Sequence, residues 1–329
     1  MEPVTWTFDC SGTGPDTSSG EILKWYAEEL EQRTNGLIKV KHIWSFGMSR
    51  PSEELPNNQA GLSQLVKLVQ GFYPSELRLN SFSQAVPFTL TDPVAAGKVH
   101  DVIYYDERLV DPEFESLDLK FLFGLTGESY TLFSTRPVTK LADLEAMKMA
   151  LTPEPYFNWL EAVKAVPLGI TLADRVPGLE TGMIEGSLLT LDLQTAFGED
   201  EVCPYLMSLD FGAIVYELYA MNLGVWNDLP KNMQDIIDEL NREASERAVA
   251  TDIRWKAKIR EELKTAGTEM NPPLSFEEKT EWSNMLSEFV LQWTDETEQM
   301  GKPAKAVMKR YMELVNETGY KFPREWKVE

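Results

Sequence analysis

The chain has 329 residues, with 53 acidic against 31 basic side chains and a formal net charge of −22. That length supports one large or two medium domains with real cores, and 43% apolar residues is ordinary globular usage. The acidic excess disfavours nucleic acid and anionic membrane surfaces, and no apolar run reaches the roughly 18 residues that a membrane span needs.

The first predicted element is a strand in "VTWTFDC", where Val4, Trp6 and Phe8 alternate. The Gly-rich loop "SGTGPDTSSGE" follows, and Ser18 with Glu21 forms a capping box for the next helix. Ile22, Leu23, Tyr26, Ala27 and Leu30 share one face of that helix, and Asn35-Gly36 stops it. "LIKVKHIW" reads as a second strand, so the chain opens as a strand–helix–strand unit of the α/β kind. A further strand leaves Gly61, and "AVPFTLTDPVAAGKV" is a turn followed by a helix. "LKFLFGL" and "YTLFSTR" are apolar strands. In "KLADLEAMKMALTPE" a short helical turn feeds a buried strand, Met147 to Leu151. "YFNWLEAVKAV" is a helix, and "GLETGMIEGSLL" is a short helix, a turn at Gly186 and a strand. From Leu229-Pro230 a helix runs to about Gly267, long enough at about 1.5 Å per residue to span two domains. The tail from Ser275 to Gly319 reads as two more helices.

Enzyme chemistry finds few candidates. No G-x-S-x-G, Walker loop or G-x-G-x-x-G is present. His42 and His100 are the only histidines, too few for a multi-His metal site, and they read as structural or exposed. Cys10 and Cys203 have no C-x-x-C spacing, and a bridge between them is the less favoured reading. Carboxylates abound but sit in runs such as "EELEQR" and "FGEDEV", which are usually solvated faces. No cofactor is expected.

The order of segments resembles the extracytoplasmic substrate-binding subunits of tripartite ATP-independent periplasmic (TRAP) transporters, the DctP-like proteins. "AEELEQRTNGLIKVKHIWSFGMSR", "AVPFTLTD", "TRPVTKLADLEAMKM", "GLETGMIEG" and "MNLGVWNDLPKNMQDII" are similar to that family's successive motifs, from about Val4 to Glu262. The resemblance implies an α/β, two-lobed periplasmic-binding-protein fold with a long interdomain helix and a ligand cleft between lobes. One lobe would comprise residues 1–127 plus 214–250, the other 128–213 plus 251–329. It also implies a non-enzymatic protein, periplasmic after removal of a leader, whose partners are a small-molecule ligand and TRAP membrane subunits, with no nucleic acid and no direct membrane insertion. "MEPVTWTF" itself lacks the basic end and apolar core of a leader.

The family's strand after the Asp-Leu-Lys-Gly stretch normally ends in an arginine that grips the ligand carboxylate. Here the matching residue is Ala150. A second basic position falls on Tyr130, and two polar contacts fall on Leu189 and Tyr216. A buried carboxylate without its charged partner costs about 3–5 kcal/mol, so the resemblance, with its arginine missing, points away from an ordinary organic acid. Tyr130, Tyr216 and Tyr156, Phe157 or Trp159 offer aromatic faces for a cation. Asp9, Glu53 or Glu54, and Glu154 are the carboxylates that could complete an ammonium site. The expected ligand is then a small amine or amino alcohol. The alternatives are an aromatic or neutral solute, or an acid held by another basic residue such as Arg50, Arg136 or Lys148. A ligand sensor for a membrane receptor and an enzyme on this fold remain readings of another class.

Overall fold

The computed structural model describes residues 2–151 and 156–329. Strand β1 (Val4–Ser11) buries Trp6 and Phe8, as the alternation predicts, but Val4 is only half-buried and the alternation is lost from Asp9 to Ser11, all of them buried. Helix α1 (Ser18–Arg33) buries the predicted face from Ile22 to Leu30. Its cap is Thr17, whose hydroxyl accepts from the Gly20 amide at 3.0 Å, rather than the expected Ser18–Glu21 box. Glu21 is drawn away by Trp255, whose ring nitrogen donates to it at 2.9 Å. The helix ends where Asn35 and Gly36 take φ of 52° and 77°.

β2 (Ile38–Ser45), α2 (Glu54–Gln59), β3 (Leu65–Leu68), α3 (Pro93–Asp101), α4 (Asp111–Ser116) and β4 (Leu119–Gly127) follow. The chain then builds β5 (Thr131–Ser134), β6 (Lys148–Leu151), α5 (Tyr156–Ala162), β7 (Val166–Gly169) and α6 (Leu172–Glu180). β8 (Gly186–Leu189), α7 (Leu191–Ala196) and β9 (Tyr205–Ser208) come next. The turn before β8 is at Gly182, with φ of 71°, and not at Gly186. Gly186 already lies in the strand, where a Cβ would come within 2.8 Å of the Leu132 and Met147 side chains.

β10 (Ile214–Asn222), α8 (Leu223–Asn227), the 36-residue α9 (Lys231–Ala266) and β11 (Glu269–Met270) complete the sheets and their long helix. The tail forms three helices instead of two: α10 (Phe276–Met285), α11 (Phe289–Gln299) and α12 (Ala304–Glu317). An extended Leu286 breaks the first from the second.

Two sheets result, in the orders β2-β1-β3-β10-β4 and β11-β9-β5-β8-β6-β7. In the first, β1 runs parallel to β2 and β3, while β10 is antiparallel to β3 and β4. In the second, β6 is parallel to β7 and β8, while β5 is antiparallel to β8 and β9. The chain crosses between sheets twice, from the end of β4 to the start of β5 and from the end of β9 to the start of β10. Both crossings join the carboxyl edge of one sheet to the carboxyl edge of the other. The two edges therefore face each other, the arrangement in which open α/β sheets bind ligands. α9 is a third link: it packs on β4, α1 and α3, and further along on α7. Its Ile259 and Leu263 enter the apolar cluster of the second lobe. α11 and α12 lie against residues 79–85, and α12 also against α3.

Candidate ligand cleft

On the first carboxyl edge, β1 ends in Asp9, Cys10 and Ser11. Asp9 is wholly buried and accepts from the Ser49 hydroxyl through Oδ2, while its Oδ1 has no protein partner. Burial pushes its carboxyl above the usual range, with the Ser49 bond opposing. Glu53 is exposed and accepts from the Arg50 amide of its own loop at 2.9 Å. The buried neighbour is Glu54, which accepts from the Tyr73 hydroxyl at 2.5 Å. Beside β1, Lys67 on β3 donates to Thr13 Oγ1 at 2.8 Å and to Glu217 Oε1 at 3.1 Å.

At the crossings, Gly127 leaves no room for a Cβ, which would lie 2.4 Å from the Tyr216 ring and 2.7 Å from Asp252 Oδ2. The Tyr216 hydroxyl donates to Asp252 Oδ1 at 2.7 Å, and Lys256 Nζ sits 2.9 Å from that same oxygen. Lys256 also lies 5.2 Å from the centre of the Tyr216 ring. Ser18 Oγ at the start of α1 donates to Asp192 Oδ2 on α7 at 3.3 Å, a bond from the first lobe to the second.

On the second edge, Tyr130 precedes β5 and its ring centre is 5.1 Å from that of Tyr156. Tyr156 in turn stacks on Phe211 at 5.4 Å and meets Trp159 edge-on at 4.9 Å. These rings pack on one another inside the protein, and burial pushes the Tyr130 hydroxyl up to about 12. Together with Tyr216, they are committed to neighbours rather than arranged as an open aromatic cage. Leu189 is buried, and its carbonyl accepts from Thr131 Oγ1 at 3.4 Å. Glu154 lies outside the described residues.

Ala150 is not a lip residue. Its side chain is wholly buried in the second-lobe cluster with Phe133, Leu179, Ile184 and Leu191. The other basic candidates named from sequence sit elsewhere. Arg136 pairs with Glu185 at 3.2 Å, and the Lys148 amide also donates to Glu185, at the amino end of β6 away from the crossings. Arg50 is exposed.

The sequence reading missed the basic groups that are buried here. Arg175 on α6 has no exposed surface. Its Nη1 donates to Ser187 Oγ at 2.9 Å and the Leu188 carbonyl at 3.3 Å, and lies 3.8 Å from Glu199 Oε1. Burial lowers the guanidinium's pKa, with Glu199 and Tyr130 opposing, and burial raises that of Glu199. A lysine inside the apolar strand "LVKL" was the available signal for Lys67. The i, i+4 pair Asp252–Lys256, in step with Ala244, Ala248, Ile259 and Leu263, was the signal for the α9 pair.

A separate open depression of about 500 Å³ lies between residues 70–85, Asn158 of α5 and α11, with Trp293, Phe289 and Gln292 in its wall. It holds none of the residues singled out from the sequence, but it meets the first carboxyl edge at Gln70, whose buried Oε1 has no protein partner.

The profile of the bacterial extracellular solute-binding proteins, family 7, matches residues 11–296. The chain belongs to that family. The C4-dicarboxylate-binding periplasmic protein DctP of Rhodobacter capsulatus is 23% identical over 87% of this chain and 85% of its own. Among solved structures, a TRAP periplasmic solute-binding protein from Desulfovibrio salexigens superposes with a TM-score of 0.85 at 18% identity, covering 98% of both chains. A marine metagenome TRAP solute-binding protein specific for aromatic acid ligands, in complex with 3-hydroxybenzoate, gives 0.82 at 18% identity, covering 96% of this chain and 99% of that one. This solute-binding protein therefore shares the TRAP fold, with its long helix, over nearly its whole length. Among the described residues no helix is long and apolar enough to cross a membrane.

Proposed function

We propose that this protein binds a small organic anion between the two carboxyl edges and delivers it, without turnover, to TRAP membrane subunits. It would work in the periplasm once any leader is removed. The lobes divide at the crossings after Gly127 and before Ile214, and close about residues 128–130 and 209–213. One observation carries the choice of an anion. The DctP protein of Rhodobacter capsulatus, which matches over 87% of this chain, is named for binding C4-dicarboxylates. The neighbour holding 3-hydroxybenzoate agrees with an anion. The small amine or amino alcohol inferred from the missing arginine at position 150 is the rival, and nothing in the relatives supports it.

A thermal-shift panel separates them. Succinate, 3-hydroxybenzoate and glucuronate are run against small amines, amino alcohols and neutral sugars. A ligand at about 100 times its Kd adds about 2.7 kcal/mol, a shift of several degrees for a chain of this size. Stabilisation by at least one acid is expected. Stabilisation by amines alone would overturn the reading.

A further inference from the structure

The loop after β1 fixes the start of α1 at the first carboxyl edge. Its Thr13 carbonyl accepts from the Ser45 amide at 2.8 Å, and Thr17 Oγ1 donates to the Gly14 carbonyl at 2.9 Å. At Gly20 a Cβ would lie 2.2 Å from that same carbonyl oxygen, so a glycine is needed for the loop to fold back on the helix. Ser18, the first residue of α1, is 1% exposed. Across the gap, α7 starts directly after the carboxyl end of β8 and is pinned to the second sheet. Gln194 Nε2 donates to the Ser187 carbonyl at 2.8 Å, and Thr131 Oγ1 donates to Gln194 Oε1 at 2.6 Å. Two residues earlier on α7, Asp192 accepts from Ser18 Oγ through Oδ2, while its Oδ1 is buried with no protein partner. The nearby Lys256 ammonium on α9 is already matched to Asp252. Asp192 meets the amino end of α1 instead, where a helix favours negative charge.

We propose that Ser18 and Asp192 form a latch that holds the two sheets together over a bound ligand. They are positioning residues, acting on the gap and not on the ligand. The inference rests on a ligand lying between the two carboxyl edges, and not on the charge of that ligand. Each partner is mounted rigidly on its own sheet, so the bond joins two bodies that move apart when the cleft opens. An O–H···O bond is lost beyond about 3.5 Å, so little rotation breaks one that is already 3.3 Å long. Opening returns both groups to water. The latch is therefore worth the net value of a hydrogen bond to a charged group, about tenfold in an equilibrium at the low end of such bonds. Its length and the stranded Oδ1 keep it at that low end. A latch of that strength prolongs ligand residence without locking the empty lobes shut.

The test is stopped-flow tryptophan fluorescence with the compound of the thermal-shift panel that stabilises the wild type most. Ser18→Ala and Asp192→Ala should each raise the dissociation rate about tenfold and leave the association rate within about twofold, because capture precedes closure. Asp192→Asn keeps an acceptor oxygen for Ser18, and its release should stay within about threefold of wild type. The double alanine variant should release no faster than about twice the quicker single variant, because both changes remove the same bond. Independent contributions would multiply to about 100-fold. A contact that only supports the fold would lower the urea midpoint without selectively speeding release. Circular dichroism checks folding, and if Asp192→Ala does not fold, Ser18→Ala alone and combined with Asp192→Asn decides in the same way. Release within about twofold of wild type in the alanine variants, or effects that multiply, overturns the latch and leaves the anion reading intact. A best stabiliser that is an amine overturns the anion reading and leaves the latch to the same rates. If no compound binds, small-angle X-ray scattering of the ligand-free proteins decides. The alanine variants should then have a larger radius of gyration than wild type, and an equal one overturns the latch.

Discussion

Lys256→Met offers the sharpest test of the link between the lobes. The Lys256 and Asp252 side chains are 1% and 0% exposed, with Nζ and Oδ1 2.9 Å apart. Removing one partner of a buried ion pair costs about 3–5 kcal/mol, because the other charge stays behind without compensation. Asp252 would keep two donors, the Tyr216 hydroxyl at 2.7 Å and the Glu128 amide at 3.2 Å. The loss should therefore fall at the low end, about 3 kcal/mol, or about 6 °C in Tm at roughly 2 °C per kcal/mol for a chain of this size. Adding Asp252→Asn removes the stranded charge, and the double variant should recover at least half of the loss. Urea unfolding at pH 7.5 followed by circular dichroism measures both. The difference should be the same at low and high salt, since a pair without solvent contact is poorly screened. A loss under about 1 kcal/mol, typical of exposed pairs, would refute the reasoning. So would a double variant less stable than Lys256→Met alone.

Two neighbours on α3 respond to pH with opposite sign. Burial pulls the His100 imidazole down to about 3, so between about pH 3 and 6.5 the unfolded chain holds a proton that the folded one does not. Stability from this group is lost as pH falls, at up to about 1.4 kcal/mol per pH unit. Burial pushes the Asp101 carboxyl up to about 6, although Ser245 donates to it at 2.7 Å, so its folded form holds the extra proton between about pH 4 and 6 and stability falls as pH rises. His100→Gln should gain stability relative to wild type on acidification from pH 6 to 4, and Asp101→Asn should gain at pH 7.5. Urea midpoints across pH check both, and parallel pH curves for wild type and variants would contradict the assignment. Cys10 and Cys203 are free and buried, with both thiols pushed up by burial. Neither should react with a thiol reagent in the native protein, and both should react in denaturant. Rapid labelling of either in the native state would show that its edge of the fold opens easily.

The local elements were legible where one face repeats, as in α1 and β1, and where length alone is informative, as in α9. Capping was less legible, because Glu21 is claimed by Trp255, more than two hundred residues away in the chain. The tail was read as two helices because the break at Leu286 is a change of backbone angle without a glycine or proline. The cleft was the least legible part. Resemblance pointed to Ala150 as an absence, and a sequence reading cannot see which side chain fills a space. Arg175 reaches Ser187 and Leu188 on β8 only through the tertiary fold. Nothing within "LADRVPGLE" distinguishes an arginine directed into the sheet from one in solvent. The tyrosines were read as open faces because their mutual packing, through Phe211 and Trp159, is tertiary.

A crystal structure with the most stabilising acid bound tests the central claim most directly. The account predicts carboxylate density between the two carboxyl edges. An acid seated in the depression beside Trp293, or an amine held among Tyr130, Tyr156 and Tyr216, would contradict it.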